Sequence, residues 1–176
     1  MKNAARLLNG EEKTSNVSSI PSVLLMRTDS FEIMMSFLTK NFGTTGLSIT
    51  YSMGVTNGRY EVIQLRDELK KLEAPATKRE LMEKTLQRLT HMGWGRFTLN
   101  DLDPVSGEIS INIEHNPFRD KCGSHKNGGC HYLQGYVAGV ASEILEDEIE
   151  YREGRCNKTE DSRCTLRLKK TNYQNL

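Results

Sequence analysis

The order of helical and alternating segments is the sequence feature that most limits the fold. An apolar stripe at helical spacing precedes two short alternating segments, RFTLND and EISINIEH, which the turn sequence DPVSG joins. A second helical pattern covers Cys130 to Asp147, and two more alternating segments follow, EIEYRE and TLRLKK. Adjacent strands with short connections pair antiparallel. The order therefore predicts an α+β fold, with an antiparallel sheet of about four or five strands and helices packed on one side.

The N-terminal half of the chain shows helical spacing with one ambiguous stretch. A first apolar stripe has Asp29 or Ser30 as a helix cap and ends near Gly43. A later stripe ends before Pro75. The segment between them, Gly46 to Gly54, fits a strand by its β-branched residues and a helix by its flanking pattern.

Short sequence motifs predict the ends of the helix before the first strand, and two glycines mark one face of the helix after the second strand. Thr77 and Glu80 have the spacing of a capping box, and Gly93-Trp94-Gly95 ends the helix that follows it. We expect Trp94 to lie in the core. Gly135 and Gly139 share one helix face, which predicts close packing of a helix or sheet there, or room for a ligand.

Composition is that of a single globular domain. The 176 residues carry a formal net charge of +1, so no overall field attracts nucleic acid or an anionic membrane. We expect a polar tail over residues 1–19 and one domain over residues 20–176. The sequence contains neither an apolar signal segment nor a membrane span, so we expect a cytoplasmic protein with no direct nucleic-acid contact. In that reducing compartment, four cysteines indicate thiols, metal ligands or redox chemistry.

Two cysteines bracket the predicted tip of the last hairpin. Cys156 and Cys164 are separated by seven residues, and pairing them across the hairpin brings two thiols to one end of the sheet. Opposite charges then face each other across the two strands. The two pairs are Glu153 with Arg167 and Glu150 with Lys170.

A metal site is one interpretation of these cysteines. In a regular strand, Glu153 and Cys156 point to opposite faces, but a bulge at Gly154 would bring Glu153 to the side of Cys156 and Cys164. Cys130 starts a helix, where the dipole favours a thiolate. Three thiolates and one carboxylate fill a tetrahedral Zn²⁺ site and leave no position for water. Buried cysteines with no metal are the alternative.

The spacing of these residues resembles the 4-vinyl reductase domain family. Cys130, the helix glycines Gly135 and Gly139, Glu153-x-x-Cys156 and Cys164 look like the C-terminal signature of that family. VLLMRTDSFEIMMSFL and the glycines around YSMGVTNGRY are similar to its opening, so the resemblance spans Val23 to Lys170.

The resemblance implies a fold shared with TRAPP tethering-complex subunits and related to haem-NO-binding domains. It implies a module that binds small hydrophobic ligands, with structural zinc on Cys130, Glu153, Cys156 and Cys164. Cys122 and His125 are alternate metal ligands just before the helix. The Trp/His pair with which the aromatic sensors of the family read a phenolic group has no counterpart that the sequence reveals.

Three functional hypotheses follow. The first is a non-catalytic, zinc-containing sensory or carrier domain for a small hydrophobic molecule, since no acid, base or open metal position indicates an enzyme. The second is a redox sensor that pairs Cys122 with Cys130 or Cys156 with Cys164. The third is a TRAPP-like scaffold subunit, a homodimer or partner of another protein, with the early Met-rich helix as its interface. Six scattered methionines fit an adaptable core or a ligand cavity: Met26, Met34, Met35, Met53, Met82 and Met92.

Overall fold

A computed structural model describes residues 26–118, 128–156 and 163–171. The predicted tail, residues 1–19, lies outside these ranges. Three helices and four strands are found within them. In chain order they are α1 (Thr28–Lys71), α2 (Lys78–His91), β1 (Arg96–Leu102), β2 (Ile109–Glu114), α3 (Gly128–Leu145), β3 (Ile149–Cys156) and β4 (Cys164–Lys170).

The four strands form one antiparallel sheet in the order β1-β2-β4-β3. In its two central strands, buried residues alternate with more exposed ones along β2 and over the first six residues of β4. Ile111 and Ile113 of β2 and Leu166 of β4 are buried, whereas Asn112 and Thr165 between them are hydrogen-bonded to each other on the opposite face. The apolar face packs under the helices, which confirms the predicted α+β fold.

The last hairpin has the predicted register near its tip and a different one at its base. Cys156 is opposite Cys164, and Glu153 is opposite Arg167. Glu150 pairs with Lys169 instead of Lys170, so that prediction is wrong. The cause is a bulge between Tyr151 and Glu153, which inserts one extra residue on β3 and shifts every pair behind it.

Helix α1 is longer than the sequence pattern predicts. It runs from Thr28 to Lys71 and bends sharply at Gly43, whose φ of 58° and ψ of −129° are outside the helical region. The ambiguous segment Gly46 to Gly54 is helical. The N-cap is Arg27, with no capping side chain, so the prediction of Asp29 or Ser30 as the cap is wrong.

Small residues explain why this segment is helical in spite of its β-branched composition. Gly46, Thr50, Gly54 and Gly58 recur at every fourth position and are all buried, so they form one stripe along α1. Gly54 and Gly58 pack against α3, and Gly46 packs against the backbone of Leu38 on the other side of the bend at Gly43. This close packing outweighs the weak helix propensity of glycine and threonine.

Glycines on both helices allow α1 and α3 to approach almost backbone to backbone. A Cβ atom at Gly54 would lie 2.1 Å from the carbonyl oxygen of Tyr132, and one at Gly58 would lie 2.0 Å from that of Tyr136. In the other direction, Cβ atoms at Gly135 and Gly139 would lie 2.0 and 2.1 Å from carbonyl oxygens of α1. The predicted close approach at Gly135 and Gly139 is therefore helix against helix.

The start of α2 confirms the predicted capping box. The Thr77 hydroxyl accepts a hydrogen bond from the Glu80 amide at 3.2 Å, and the Glu80 carboxylate accepts one from the Thr77 amide at 2.8 Å. At the other end, the Thr90 hydroxyl accepts from the Phe97 amide at 3.1 Å and ties α2 to β1.

The methionines are distributed differently from the prediction. Met35 and Met82 are buried, as an adaptable core requires. The other four are 40–52% exposed and form neither a core nor a closed cavity in the described part of the chain: Met26, Met34, Met53 and Met92. The prediction failed because helical spacing alone does not say which face of a long helix is covered.

Candidate functional site

Five aromatic rings from four separate parts of the chain meet at one end of the α1–α3 contact. Phe31 of α1 lies with its ring centroid 5.4 Å from Trp94, 5.6 Å from Phe118 and 5.0 Å from Tyr132. Trp94 stacks on Tyr132 at 5.7 Å and on Tyr136 at 6.4 Å. These separations are those of favourable aromatic pairs. We call these five residues the aromatic cluster.

Flanking glycines position Trp94 in the aromatic cluster. Gly93 and Gly95 have φ values of 85° and 118°, which L side chains rarely adopt, so the chain can turn sharply on both sides of the ring. The Trp94 amide donates to the Leu89 carbonyl at 3.1 Å and closes the end of α2. The prediction of Trp94 as a core residue is confirmed, because it packs against the buried core, but its side chain stays partly accessible.

Two tyrosine hydroxyls give the aromatic cluster a polar side. The Tyr132 hydroxyl accepts a hydrogen bond from the Asn57 amide nitrogen at 2.8 Å. The Tyr136 hydroxyl is hydrogen-bonded to Glu61, which in turn pairs with Arg88 at 3.2 Å. Burial raises the pKa of Tyr132, and burial together with the charge of Glu61 raises the pKa of Tyr136 further. Both hydroxyls therefore keep their protons at neutral pH.

Beside the aromatic cluster lie two of the predicted metal ligands. Cys130 is the third residue of α3 and is buried, and Cys164 at the start of β4 is 0% exposed. Both sulfurs contact one short segment after β2. The Asn116 amide nitrogen donates to the Cys164 sulfur at 3.6 Å, and the Cys130 sulfur lies 3.7 Å from the Phe118 carbonyl oxygen. Cys156 is directly opposite Cys164 in the hairpin, so three predicted ligands belong to one corner of the fold.

The structure leaves the metal prediction untested. Cys122 and His125 lie outside the described residues, as do the side chains of Glu153 and Cys156. Cys130 is disulfide-bonded, whereas Cys164 is not in a disulfide. Among the described residues, no group of three or more ligating side chains is found.

The backbone register bears on the fourth metal ligand. The bulge expected at Gly154 lies between Tyr151 and Glu153 instead, and pairing from Glu153 to Cys156 is regular. A bulge at Gly154 is therefore not available to bring Glu153 to the side of Cys156, because the irregularity ends before that stretch. Glu153 remains a predicted ligand on the resemblance alone.

The sequence did not reveal most of the aromatic cluster. Its members come from positions as distant as Phe31 and Tyr136, and no local pattern joins them. One signal was available: Tyr132 and Tyr136 are four residues apart, interleaved with Gly135 and Gly139, so two rings emerge beside a face that packs closely.

Fold and site together define a four-stranded α+β domain, covered by helices on one side, in which the aromatic cluster lies next to Cys130 and Cys164. Over residues 109–170 the chain matches the family model of the 4-vinyl reductase domain, which confirms the predicted resemblance in that part. A search among curated protein sequences found no match. Within the described residues, no helix is long and apolar enough to cross a membrane.

Several solved structures share the fold. The phenol-responsive sensory domain of the transcription activator PoxR, with phenol, has 18% identity and a TM-score of 0.67, covering 84% of this chain and 76% of its own. Subunit 3 of a trafficking protein particle complex from Naegleria fowleri, covalently bound to palmitic acid, has 14% identity and a TM-score of 0.51, covering 83% and 93%. An H-NOX protein from S. oneidensis in the Fe(II)NO state has 12% identity and a TM-score of 0.51, covering 98% and 90%. These similarities confirm the expected TRAPP-like fold.

Proposed function

We propose that this protein is a non-catalytic sensory or carrier domain that binds a small hydrophobic molecule at the aromatic cluster. The observation that carries the proposal is the meeting of five rings from separate elements, with Trp94 partly accessible. Apolar pockets with a few polar groups are the usual form of small-molecule sites. The match to the 4-vinyl reductase domain family and the phenol bound in the PoxR sensory domain support the same function.

The polar groups limit the chemistry of the ligand. Tyr132 uses its hydroxyl oxygen as an acceptor for Asn57, so its proton can be donated to a ligand oxygen. Phe31 and Trp94, the two partly exposed rings of the aromatic cluster, offer apolar surface to the remainder of the ligand. We therefore propose a flat aromatic ligand with one hydrogen-bonding oxygen.

Fluorescence of Trp94, the single tryptophan, tests this proposal. Phenol, toluene and cyclohexanol separate the contribution of the ring from that of the hydroxyl. We expect saturable quenching in the order phenol, then toluene, with cyclohexanol weakest. Tyr132→Phe should weaken the binding of phenol by about 5- to 10-fold, the equivalent of one hydrogen bond, and leave the affinity for toluene unchanged. Tyr60→Phe, at an exposed tyrosine, is the matched control. Equal, non-saturating quenching by all three probes would contradict ligand binding at this site.

We also propose that Cys130, Cys156 and Cys164 hold a structural Zn²⁺. Support comes from the shared contact of Cys130 and Cys164 with residues 116–118, and from the position of Cys156 opposite Cys164. Once the disulfide at Cys130 is reduced, Cys130 and Cys164 are sulfur ligands of the kind that zinc prefers. Bound zinc would contribute folding free energy and join α3 to the last hairpin.

Zinc content of protein purified without chelator, under reducing conditions, tests the metal site. About one zinc per chain is expected, and Cys164→Ser should lose it. Glu153→Gln, Cys122→Ser and His125→Gln then identify the fourth ligand as the one whose loss also releases zinc. A chain without zinc, or a Cys164→Ser variant that keeps full zinc and stability, would contradict the proposal.

A redox sensor is the second candidate function, because Cys130 is disulfide-bonded in the structure. A disulfide and a zinc–thiolate bond at Cys130 exclude each other, so the two proposals differ in one measurable state. Mass spectrometry after mild peroxide should show a rapid, reversible Cys122–Cys130 pair if the protein senses oxidants. Zinc-protected thiols that stay unreactive would contradict sensing.

An exposed, uncharged face on α1 supports the proposal of a homodimer. Residues 41–58 carry no charged side chain, and Ile49 and Met53, one helical turn apart, are each 40% exposed. An uncharged helix face is self-complementary, so a second copy can bury it. Light scattering should show a dimer that Met53→Lys dissociates and Val105→Lys, at an 89% exposed turn residue, leaves intact. A monomer at high concentration would contradict this.

A further inference from the structure

Two polar residues of α1 bind the two tyrosine hydroxyls of the aromatic cluster. Asn57 and Glu61 are four residues apart, and each lies one helical turn from the other on the same face of α1. Tyr132 and Tyr136 have the same spacing on α3. The Asn57 amide nitrogen donates to the Tyr132 hydroxyl at 2.8 Å, and the Tyr136 hydroxyl is hydrogen-bonded to Glu61. Both tyrosine rings therefore end at a polar side chain of α1.

The chemistry of these partners gives the two hydroxyls opposite roles. An amide nitrogen only donates, so Tyr132 accepts from Asn57 and keeps its own proton for a ligand. A carboxylate only accepts, so Tyr136 donates its hydrogen bond to Glu61 and presents oxygen lone pairs to a ligand. A ligand group that only accepts hydrogen bonds can use one of these hydroxyls, whereas a group that both donates and accepts can use either.

Glu61 also brings negative charge to this side of the aromatic cluster. Its side chain is 22% exposed and pairs with Arg88 at 3.2 Å, but Arg88 pairs with Glu68 as well. Two carboxylates share one guanidinium, which leaves one negative charge without compensation within this group of three. The charge of Glu61 acts on the Tyr136 hydroxyl more strongly than that of Arg88 does. In a partly buried place, water screens such a charge only weakly.

We propose that Glu61 is a specificity-determining residue that excludes anions from the aromatic cluster. A carboxylate ligand has no proton for the Tyr136 oxygen and is repelled by Glu61, so both effects act against it. An uncharged group with a proton to donate avoids both. The ligand class is thereby narrowed to uncharged aromatic molecules that donate and accept a hydrogen bond. This inference rests on the proposed function, and it adds the charge of the ligand.

Benzamide and benzoate test this inference, because they have nearly the same shape and differ in charge. Calorimetry gives both affinities for the full chain, and emission of Trp94, the single tryptophan, reports binding at the aromatic cluster. We expect benzamide to bind at least about 10-fold more tightly than benzoate. Glu61→Gln keeps an acceptor for Tyr136 but removes the charge. It should tighten benzoate binding by about 10-fold and change benzamide binding by less than about 2-fold.

Two further variants keep the test decisive. Glu83→Gln removes the same charge from a 50% exposed position of α2, where Glu83 pairs with Arg79, and it should leave both affinities unchanged. Arg88→Gln leaves Glu61 and Glu68 without their shared cation, so it should weaken benzoate binding by a further factor of about 5 and spare benzamide. This variant decides the question if Glu61→Gln does not fold, as judged by circular dichroism.

The outcomes separate this inference from the proposed function. Equal affinities for benzamide and benzoate in the original protein, or a benzoate affinity that Glu61→Gln leaves unchanged, overturn the role of Glu61 while the ligand site stands. The same gain in benzoate affinity from Glu83→Gln would also overturn that role, because net charge would then explain it. Failure of both phenol and benzamide to bind overturns the ligand site and the inference together.

Discussion

Alanine at Gly135 is the substitution for which the structure predicts the largest effect from the smallest chemical change. The added methyl carbon would lie 2.0 Å from the Tyr51 carbonyl oxygen, about 1 Å closer than Cβ atoms are found to approach. The atom in the way belongs to the α1 backbone, which cannot rotate aside as a flexible side chain can. Helices α1 and α3 must therefore separate along their contact.

The expected change in the free energy of unfolding is the balance of two opposing effects. Overpacking a well-packed interior costs about 1–3 kcal/mol, and a clash with backbone belongs at the upper end of that range. Alanine recovers about 1 kcal/mol of helix propensity relative to glycine. The net expectation is a free energy of unfolding lower by about 2 kcal/mol for Gly135→Ala.

Urea unfolding followed by circular dichroism measures this difference. Ser52→Ala, on an exposed position of α1, is the matched control and should change stability by less than about 0.5 kcal/mol. The double variant Gly54→Ala/Gly135→Ala should lose less than the sum of the two single losses, because one separation of the helices relieves both clashes. A Gly135→Ala variant as stable as the original would refute the close approach of α1 and α3.

Two other predictions test separate parts of the structure. Thr77→Ala removes the acceptor for the Glu80 amide and should lower the free energy of unfolding by about 1 kcal/mol, measured in urea; an unchanged midpoint would contradict the capping box. Burial holds the pKa of Tyr136 above its ordinary value of 10.0. Below pH 10 the tyrosine is protonated in both the folded and the unfolded chain, so its burial carries no pH-dependent loss of stability there. As pH rises past it, the unfolded chain loses its proton first and stability falls. Tyr136→Phe should reduce this alkaline loss and exposed Tyr60→Phe should not; identical pH profiles would contradict it.

Features encoded within a few residues were predictable from the sequence. The capping box at Thr77, the turn around Gly107 and the alternation of β2 depend on neighbouring side chains, and the structure confirms them. The pairing of Cys156 with Cys164 was also predictable, because the hairpin can close in few ways.

Features set by packing were not predictable in the same way. The helix over Gly46 to Gly54 depends on glycines that pack against α3 and against the backbone near Leu38, so local propensity left it ambiguous. The bulge between Tyr151 and Glu153 has no glycine within it, and the sequence pointed to Gly154 instead. One extra residue there was enough to place Glu150 opposite Lys169.

The candidate site was predictable on its cysteine side and largely hidden on its aromatic side. Cys130 and Cys164 both contact residues 116–118, in agreement with the prediction that these two cysteines lie close together. Phe31, Trp94 and Phe118 come together only through the packing of α1 across α3 and the sheet. Their convergence is a property of the tertiary structure, and no spacing in the sequence encodes it.

The indole N–H resonance of Trp94 offers the most direct test of a ligand site in the aromatic cluster. With one tryptophan in the chain, the NMR spectrum contains one such signal. We predict that phenol shifts it saturably, with weaker binding in Tyr132→Phe. A signal that stays in place while phenol saturates amides elsewhere on the protein would contradict ligand binding in the aromatic cluster.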